Sequence, residues 1–392
     1  MRVAGLFAGI GGIEVGLHAA GHETEVLCEI DPAAKAVLRK HFKGISLRPD
    51  VTRVLRLPPV DLVAGGFPCQ DLSQAGRTAG INGGNSGLVS ELFRIVRKAR
   101  PPWLLLENVS FMLQLERGAA MRYLTDSLGE MKYTWAYRVV DSRAFGLPQR
   151  RKRVILVATA LGDPKEVLFA DEAGEPAEES DEGVACGFYW TEGTRGLGWA
   201  VDAVPTLKGG STVGIPSPPA IVLTDGRLVT PDIRDAERLQ GFEADWTKPA
   251  EAVGRRSMGR RWKLVGNAVS VPVFTWVGER LSRPSASLAA DAVELPLGSR
   301  WPDAAWGWNG KAYGVDLSQW PLARPREHLE PFLQYPPHPL SLRAARGFLR
   351  RAEASSLNFR PGFLEGVRAY VANMESDGQV QSFSAELDSA RA

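Results

Sequence analysis

The chain has 392 residues, 44% hydrophobic and 23% charged, with 47 Lys and Arg against 45 Asp and Glu for a net charge of +2. This is ordinary globular composition with room for two or three domains, and no apolar run is long enough to span a bilayer, so no membrane partner and a cytoplasmic location are expected. A net charge near zero does not demand a nucleic-acid partner; any such partner must meet basic residues clustered locally.

The first 160 residues alternate strand and helix patterns. "MRVAGLF" reads as a strand, followed by the glycine turn "AGIGG" and a helix, "IEVGLHAAG", closed by Gly21. "EVLCEID" is a second strand, and "PAAKAVLRKHF" a helix with Pro32 in its first turn. A third strand is expected to end near Asp50. "VDLVAGG" and "PWLLLENV" read as buried strands either side of an amphipathic helix, "LVSELFRIVRKAR". "WAYRVVDS" and "RKRVILVAT" are further strands with β-branched content. Such alternation implies an open α/β sheet with helices on both faces. From Leu161 to about Thr194 the chain is acidic and aperiodic, as a solvated insertion would be. "VPTLKGGSTVGIPSPPAIVLTDGRL" then suggests a small, irregular β-rich domain. "TPDIRDAERLQGF" reads as a helix between Pro231 and Gly241, and "RRWKLVGNAVSVPVFTWVGERL" leads into a last helix. After Ser285, four of the 11 tryptophans fall in "RWPDAAWGWNGKAYGVDLSQWP". "PLSLRAARGFLRRAEAS" reads as an amphipathic helix with Arg343, Arg346 and Arg350 on one face. The expected divisions are residues 1–160, 161–228, 229–284 and 285–392, the last a separate C-terminal module whose tryptophans form a satellite core.

Three cysteines, Cys28, Cys69 and Cys186, are too few and scattered for a disulfide framework or a CxxC metal site. Cys69 is placed unlike a core cysteine. It follows a buried strand and Pro68, and precedes a glycine-rich polar stretch, "QDLSQAGRTAGINGGNSG", that reads as a lid. Ligands bind beyond the carboxyl ends of strands in open α/β sheets, which makes Cys69 a candidate nucleophile. Glu107 and Asn108 end another strand after an apolar run, where a carboxyl is placed for acid chemistry. Gln149, Arg151 and Arg153 lead into a strand, and alternate arginines there can hold anionic or carbonyl oxygens. The glycines after the first strand let a ligand approach backbone at a helix N-terminus, but their spacing is not GxGxxG and does not indicate a dinucleotide. Glu29 ends the second strand, where an acidic residue commonly accepts ribose hydroxyls.

In order and spacing, "LFAGIGG", Glu29, "DV" at Asp50, "GGFPCQ", "ENV", "QRRKR", "RDAERLQGF" and "GNAVSVPV" resemble the cytosine-C5 DNA methyltransferase family over residues 1–283. The resemblance implies a Rossmann-like S-adenosylmethionine-dependent methyltransferase sheet, a small β-rich target-recognition domain and a C-terminal extension, in a monomer acting on double-stranded DNA. It implies that Cys69 adds to C6 of a flipped cytosine, that Glu107 contacts N3 and the exocyclic amine, and that Arg153 holds O2. Arg151 would support the loop or a phosphate, with Asn108 and Gln149 in the same catalytic set. S-adenosyl-L-methionine would meet Phe7, Gly9 and Gly11 at the glycine loop, Glu29 at the ribose, Ile30 at the adenine face, and Asp50 with Val51 at the adenine amine. Pro68, Asn267 and Ala268 would line its methionine side. Gln70, Ser73, Ser86, Lys208, Gly209 and Gly210 are the expected DNA contacts, the last three in the reading loop "TLKGGSTVG"; no metal is expected. Two other functions stand beside this one: a tRNA cytosine-C5 methyltransferase, whose branch shares "PCQ" and "ENV", and a non-catalytic DNA-binding homologue. The sequence leaves open the DNA site and whether a cognate restriction endonuclease exists.

Overall fold

Short apolar runs that end in glycine or a polar residue build the centre of the molecule, whose computed structural model describes residues 1–67, 87–177, 180, 182–194, 196–210, 218–254, 257–288 and 291–389. Strands β1 (Arg2–Leu6), β2 (Glu23–Cys28), β3 (Ser46–Arg48), β4 (Leu62–Gly66) and β5 (Trp103–Val109) pair in parallel in the order β5-β4-β1-β2-β3. After β6 (Thr134–Asp141) and β7 (Gln149–Arg150), strand β8 (Lys152–Thr159) inserts antiparallel between β5 and β6. Val3, Ala4, Val63, Ala64, Leu104 and Leu105 are buried, as unbroken apolar strands must be when helices cover both faces.

The covering helices are α1 (Gly12–Ala19), α2 (Pro32–His41), α3 (Leu88–Ala99) and α4 (Ala119–Glu130). In α3 the apolar Val89, Leu92, Phe93 and Val96 fall on one face and enter the core. Helix α2 starts on Asp31, whose side chain accepts from the Ala33 and Ala34 amides, and Pro32 takes the first helical position. The sequence patterns read above do not include α4. Its buried Met121, Leu124 and Leu128 alternate with Thr125, Asp126 and Ser127, poor helix formers that blur the period.

Beyond α5 (Lys165–Leu168) only the start of the acidic stretch is tied down, and its described residues from Glu175 to Gly183 are exposed, as a solvated insertion would be. Val167, Leu168 and Phe169 are fully buried. Asp171 accepts from Arg280 Nε and Trp276 Nε1, each at 2.7 Å, and Glu172 pairs with the buried Arg138. The small domain holds β9 (Cys186–Phe188), β10 (Ala200–Val201), β11 (Val204–Pro205), β12 (Ala220–Val222) and β13 (Leu228–Thr230). Strand β11 pairs in parallel with β7, which ties this domain to the catalytic sheet. The chain returns through α6 (Ile233–Arg238), α7 (Ser257–Asn267) and α8 (Val271–Ser282). Helix α8 lies so close to α1 that a Cβ on Gly16 would sit 2.6 Å from Phe274 Cβ.

The chain from residue 285 does not form the separate module expected from its composition. Strands β14 (Val293–Glu294), β15 (Ala304–Trp308) and β16 (Lys311–Val315) extend the catalytic sheet in the order β14-β16-β15-β6, giving ten strands. After α9 (Leu329–Phe332), β17 (His338–Pro339) joins the small domain's sheet, ordered β10-β9-β12-β13-β17. Helices α10 (Leu342–Glu353) and α11 (Phe363–Ser389) close on Phe188, with Phe348 and Phe363 ring centroids 5.1 and 5.2 Å from it. Trp301 and Trp320 belong to the two main core clusters, not to a satellite. Strand pairing is non-local, so alternation along residues 285–392 carries no mark of the sheet they complete. Among the described residues no helix is long and apolar enough to cross a membrane.

Candidate active site at the carboxyl edge of the sheet

The registers of β4, β5 and β8 bring the central pair together. Gly66 lies opposite Glu107 across β4 and β5, and Val109 lies opposite Arg153 across β5 and β8. Glu107 and Arg153 are therefore diagonal neighbours on one face, within reach of long side chains. Arg153 Nε donates to Glu107 Oε1 at 2.9 Å, with both side chains largely buried. Burial pushes the Arg153 pKa down and Glu107 opposes that push. A Cβ on Gly66 would stand 3.0 Å from Glu107 Oε2, so the strand keeps a glycine where the carboxylate leans over it. Asn108 Nδ2 donates to the Phe67 carbonyl at 3.0 Å, fixing the last described residue before "PCQ".

Pro68, Cys69, Gln70, Ser73 and Ser86 lie outside the described residues. The other two cysteines are both buried. Burial, then the charges of Glu29 and Asp50, push the Cys28 thiol up to about 12. A thiol so protonated is inert as a nucleophile.

On the other side of β1 the glycine loop and Glu29 meet. Phe7, Gly9 and Gly11 all take positive φ, at 54°, 56° and 87°, the first a left-handed conformation that a bulky residue adopts only under constraint. Gly9 N donates to Glu29 Oε2 at 2.8 Å and Asp31 N to Oε1 at 2.7 Å. Burial raises the Glu29 pKa against those bonds. Ile30, beside it, is 68% exposed, a large apolar side chain left open at a strand end. Asp50 is half-buried and its Oδ1 accepts from Thr52 N at 2.9 Å and Thr52 Oγ1 at 2.8 Å, which holds its pKa below the usual range. The Val51 side chain instead points into the core, so only its backbone can meet a ligand. The turn after α7 closes the loop: a Cβ on Gly12 would sit 2.7 Å from Val269, which brings Asn267 and Ala268 to the N-terminus of α1. An acidic ribose partner, an open apolar face and a glycine loop at a helix N-terminus fit S-adenosylmethionine in chemistry.

Gln149 and Arg151, expected among the catalytic groups, are joints. Gln149 is fully buried; its Nε2 donates to the Leu239 carbonyl at 2.7 Å and its Oε1 accepts from Leu207 N at 3.0 Å. Arg151 is 2% exposed and donates to the carbonyls of Leu207 and Ala268. Together they staple the reading loop and the Asn267 turn to the catalytic sheet. Lys208 pairs with Glu192 and lies 3.6 Å above the Tyr189 ring. Gly209 packs on Asn267, whose side-chain oxygen a Cβ there would overlap. Gly210 takes a positive φ of 139°, a conformation that favours glycine, and residues 211–214 of the reading loop lie outside the described residues. Sequence reasoning missed Arg150 and Lys152. They are the alternate residues of "QRRKR" and line a cavity with Arg153. The period of two was the available signal, and only the parity that holds Arg153 was read.

A family model described as C-5 cytosine-specific DNA methylase matches residues 1–183. The chain is 51% identical over 379 residues to the Type II methyltransferase M2.BsuMI of Bacillus subtilis (strain 168), covering 94% of this chain and 97% of that protein. It is 30% identical over 300 residues to the Type II methyltransferase M.MspI of Moraxella sp, covering 71% of this chain and 69% of that one. Among solved structures, the S. pombe Dnmt2 methyltransferase matches 72% of this chain and 98% of its own length with a TM-score of 0.52 at 16% identity, a likeness of fold alone.

Proposed function

The chain belongs to the C-5 cytosine-specific DNA methylases and is a DNA (cytosine-5-)-methyltransferase, and from that premise we propose how its own residues carry the reaction. Cys69 is the nucleophile, Glu107 the group that protonates or hydrogen-bonds N3, and Arg153 the group that holds O2. The observation that carries this reading is the Glu107–Arg153 pair at 2.9 Å, at the strand edge that leads through Phe67 into "PCQ".

Cytosine C5 is a weak nucleophile. Addition of the Cys69 thiolate to C6 forms a C6–S bond and moves the ring electrons toward C5, with negative charge relieved at N3 by Glu107. Arg153 keeps Glu107 in place and donates to O2, and Asn108 keeps the strand end beside it fixed. S-adenosylmethionine supplies the methyl group, and Gly9, Glu29, Ile30 and Asp50 are the residues that would hold it, with Asn267 and Ala268 at the turn beside α1. Loss of the C5 proton to a base and cleavage of the C6–S bond return the Cys69 thiolate and leave 5-methylcytosine. The base must leave the duplex stack for C6 to be reached.

The substrate is double-stranded DNA at a specific short sequence, read by the small domain. The names of the relatives, Type II methyltransferases, support a place beside a cognate restriction endonuclease. Transfer of labelled methyl to duplex DNA and to tRNA, side by side, tests the reading. Incorporation into duplex DNA alone, lost in Cys69→Ser, is expected. Incorporation into tRNA alone, or near-full activity in Cys69→Ser, overturns it.

A further inference from the structure

A cavity of about 630 Å³ opens where the catalytic sheet, the small domain and the chain beyond residue 285 meet. Its described lining carries Arg143, Arg150, Lys152, Arg153 and Arg360 against one carboxylate, Glu175. Arg153 is matched by Glu107, and Arg143 by Asp141 at 3.0 Å. Arg150 and Lys152 have no side-chain hydrogen bond or ion pair among the described residues. Burial and the neighbouring Arg143 push the Arg150 pKa down, against a smaller opposing push from Asp141.

The segment beyond residue 285 supplies Trp320 and Arg360 to this cavity. Trp320 is 6% exposed, and its indole N–H has no acceptor among the described residues. Arg143 lies 5.4 Å from the centre of its ring. Arg360, just before α11, lies 5.9 Å from the Trp199 ring of the small domain. Like charges gathered in one cavity repel each other, and a polyanion is the ligand that relieves them. Because Arg153 lines the same space, the base site opens into it.

We propose that the segment beyond residue 285 forms one wall of the DNA cleft, where Arg360, with Arg150 of β7 and Lys152 of β8, holds phosphates beside the extruded cytosine. The inference rests on the function proposed above and adds a phosphate-binding wall from a segment outside the core sequence pattern. Non-specific duplex binding suffices to read it, because phosphate contacts dominate such binding whatever the target sequence.

The test is fluorescence anisotropy of the full chain on a labelled mixed-sequence 30-bp duplex across a salt series. Each lost phosphate contact should flatten the slope of log K against log salt by about 0.9. Arg360→Ala and Lys152→Ala are each expected to show that change and several-fold weaker binding, and Arg360→Lys to keep the wild-type slope. Calorimetric binding of S-adenosylmethionine reports folding in each variant; should Arg360→Ala fail it, Arg360→Gln, which keeps length and packing, carries the test. A wild-type slope in the folded Arg360 variant overturns the proposal, as does a preference for tRNA over the duplex. Methyl transfer by the wild type is measured separately. If DNA is methylated while the slope does not move, only the wall is wrong; if DNA is not methylated, the proposed function itself fails.

Discussion

Replacing Glu14 by Gln should change how the fold responds to pH. Glu14 sits in the first turn of α1, fully buried, and neither carboxyl oxygen has a partner among the described residues. A Cβ on Gly5 would overlap its Oε1, so the side chain lies against β1. Burial, with a smaller push from Glu29, raises its pKa from 4.5 to about 7. In the unfolded chain the group ionises near 4.5. Between those values the folded state holds the proton more tightly, so its stabilising effect is complete below about pH 4.5 and is lost as pH rises through about 7. At 1.36 kcal/mol per pH unit, the loss over that window is on the order of 3 kcal/mol. Urea denaturation of both proteins from pH 5 to 8 isolates this group from the other titrating residues, which both share. The wild type is expected to lose about 2 to 3 kcal/mol relative to Glu14→Gln across that range. The buried amide adds an offset that does not vary with pH. Parallel stability curves for the two proteins refute the reasoning.

Three further outcomes follow from the site. Ile30→Ala should weaken S-adenosylmethionine binding several-fold by calorimetry while leaving Tm unchanged, because the side chain is exposed and supports no core. Gly266→Ala should cost about 1–3 kcal/mol in chemical denaturation, since a Cβ there overlaps the Lys208 backbone, and should raise KM for DNA more than for the cofactor. Glu107→Gln should lower kcat about 10²–10⁴-fold in single-turnover methyl transfer, with cofactor affinity kept; a change under threefold would remove Glu107 from the chemistry.

The catalytic half of the fold is legible because its signals are local. Glycine turns, Pro32 after Asp31, and the apolar runs ending at Gly66 and Glu107 each mark an element by their own residues. What is not local is not legible. Nothing in "AAWGWNGKAYGV" says that it pairs with β6, so the chain beyond residue 285 reads as separate when it completes the sheet. The same limit governs the site. Glu107 and Arg153 are identifiable as strand-end groups, yet their contact depends on the β5–β8 register. Arg151 and Gln149 look like neighbours of Arg153 in sequence, but burial turns them into supports for Leu207 and Ala268. Arg150 and Lys152 emerge as cavity residues only once the small domain and Arg360 are folded around them.

The central claim is that Cys69 attacks cytosine C6, and a trapped adduct tests it most directly. The full chain is incubated with S-adenosylmethionine and duplex DNA substituted with 5-fluorocytosine, where fluorine at C5 blocks proton loss and hence release of the enzyme. Peptide mass spectrometry of the denaturant-stable complex should place the methylated nucleotide on Cys69. An adduct on another residue, or none while unsubstituted DNA is methylated, contradicts the mechanism.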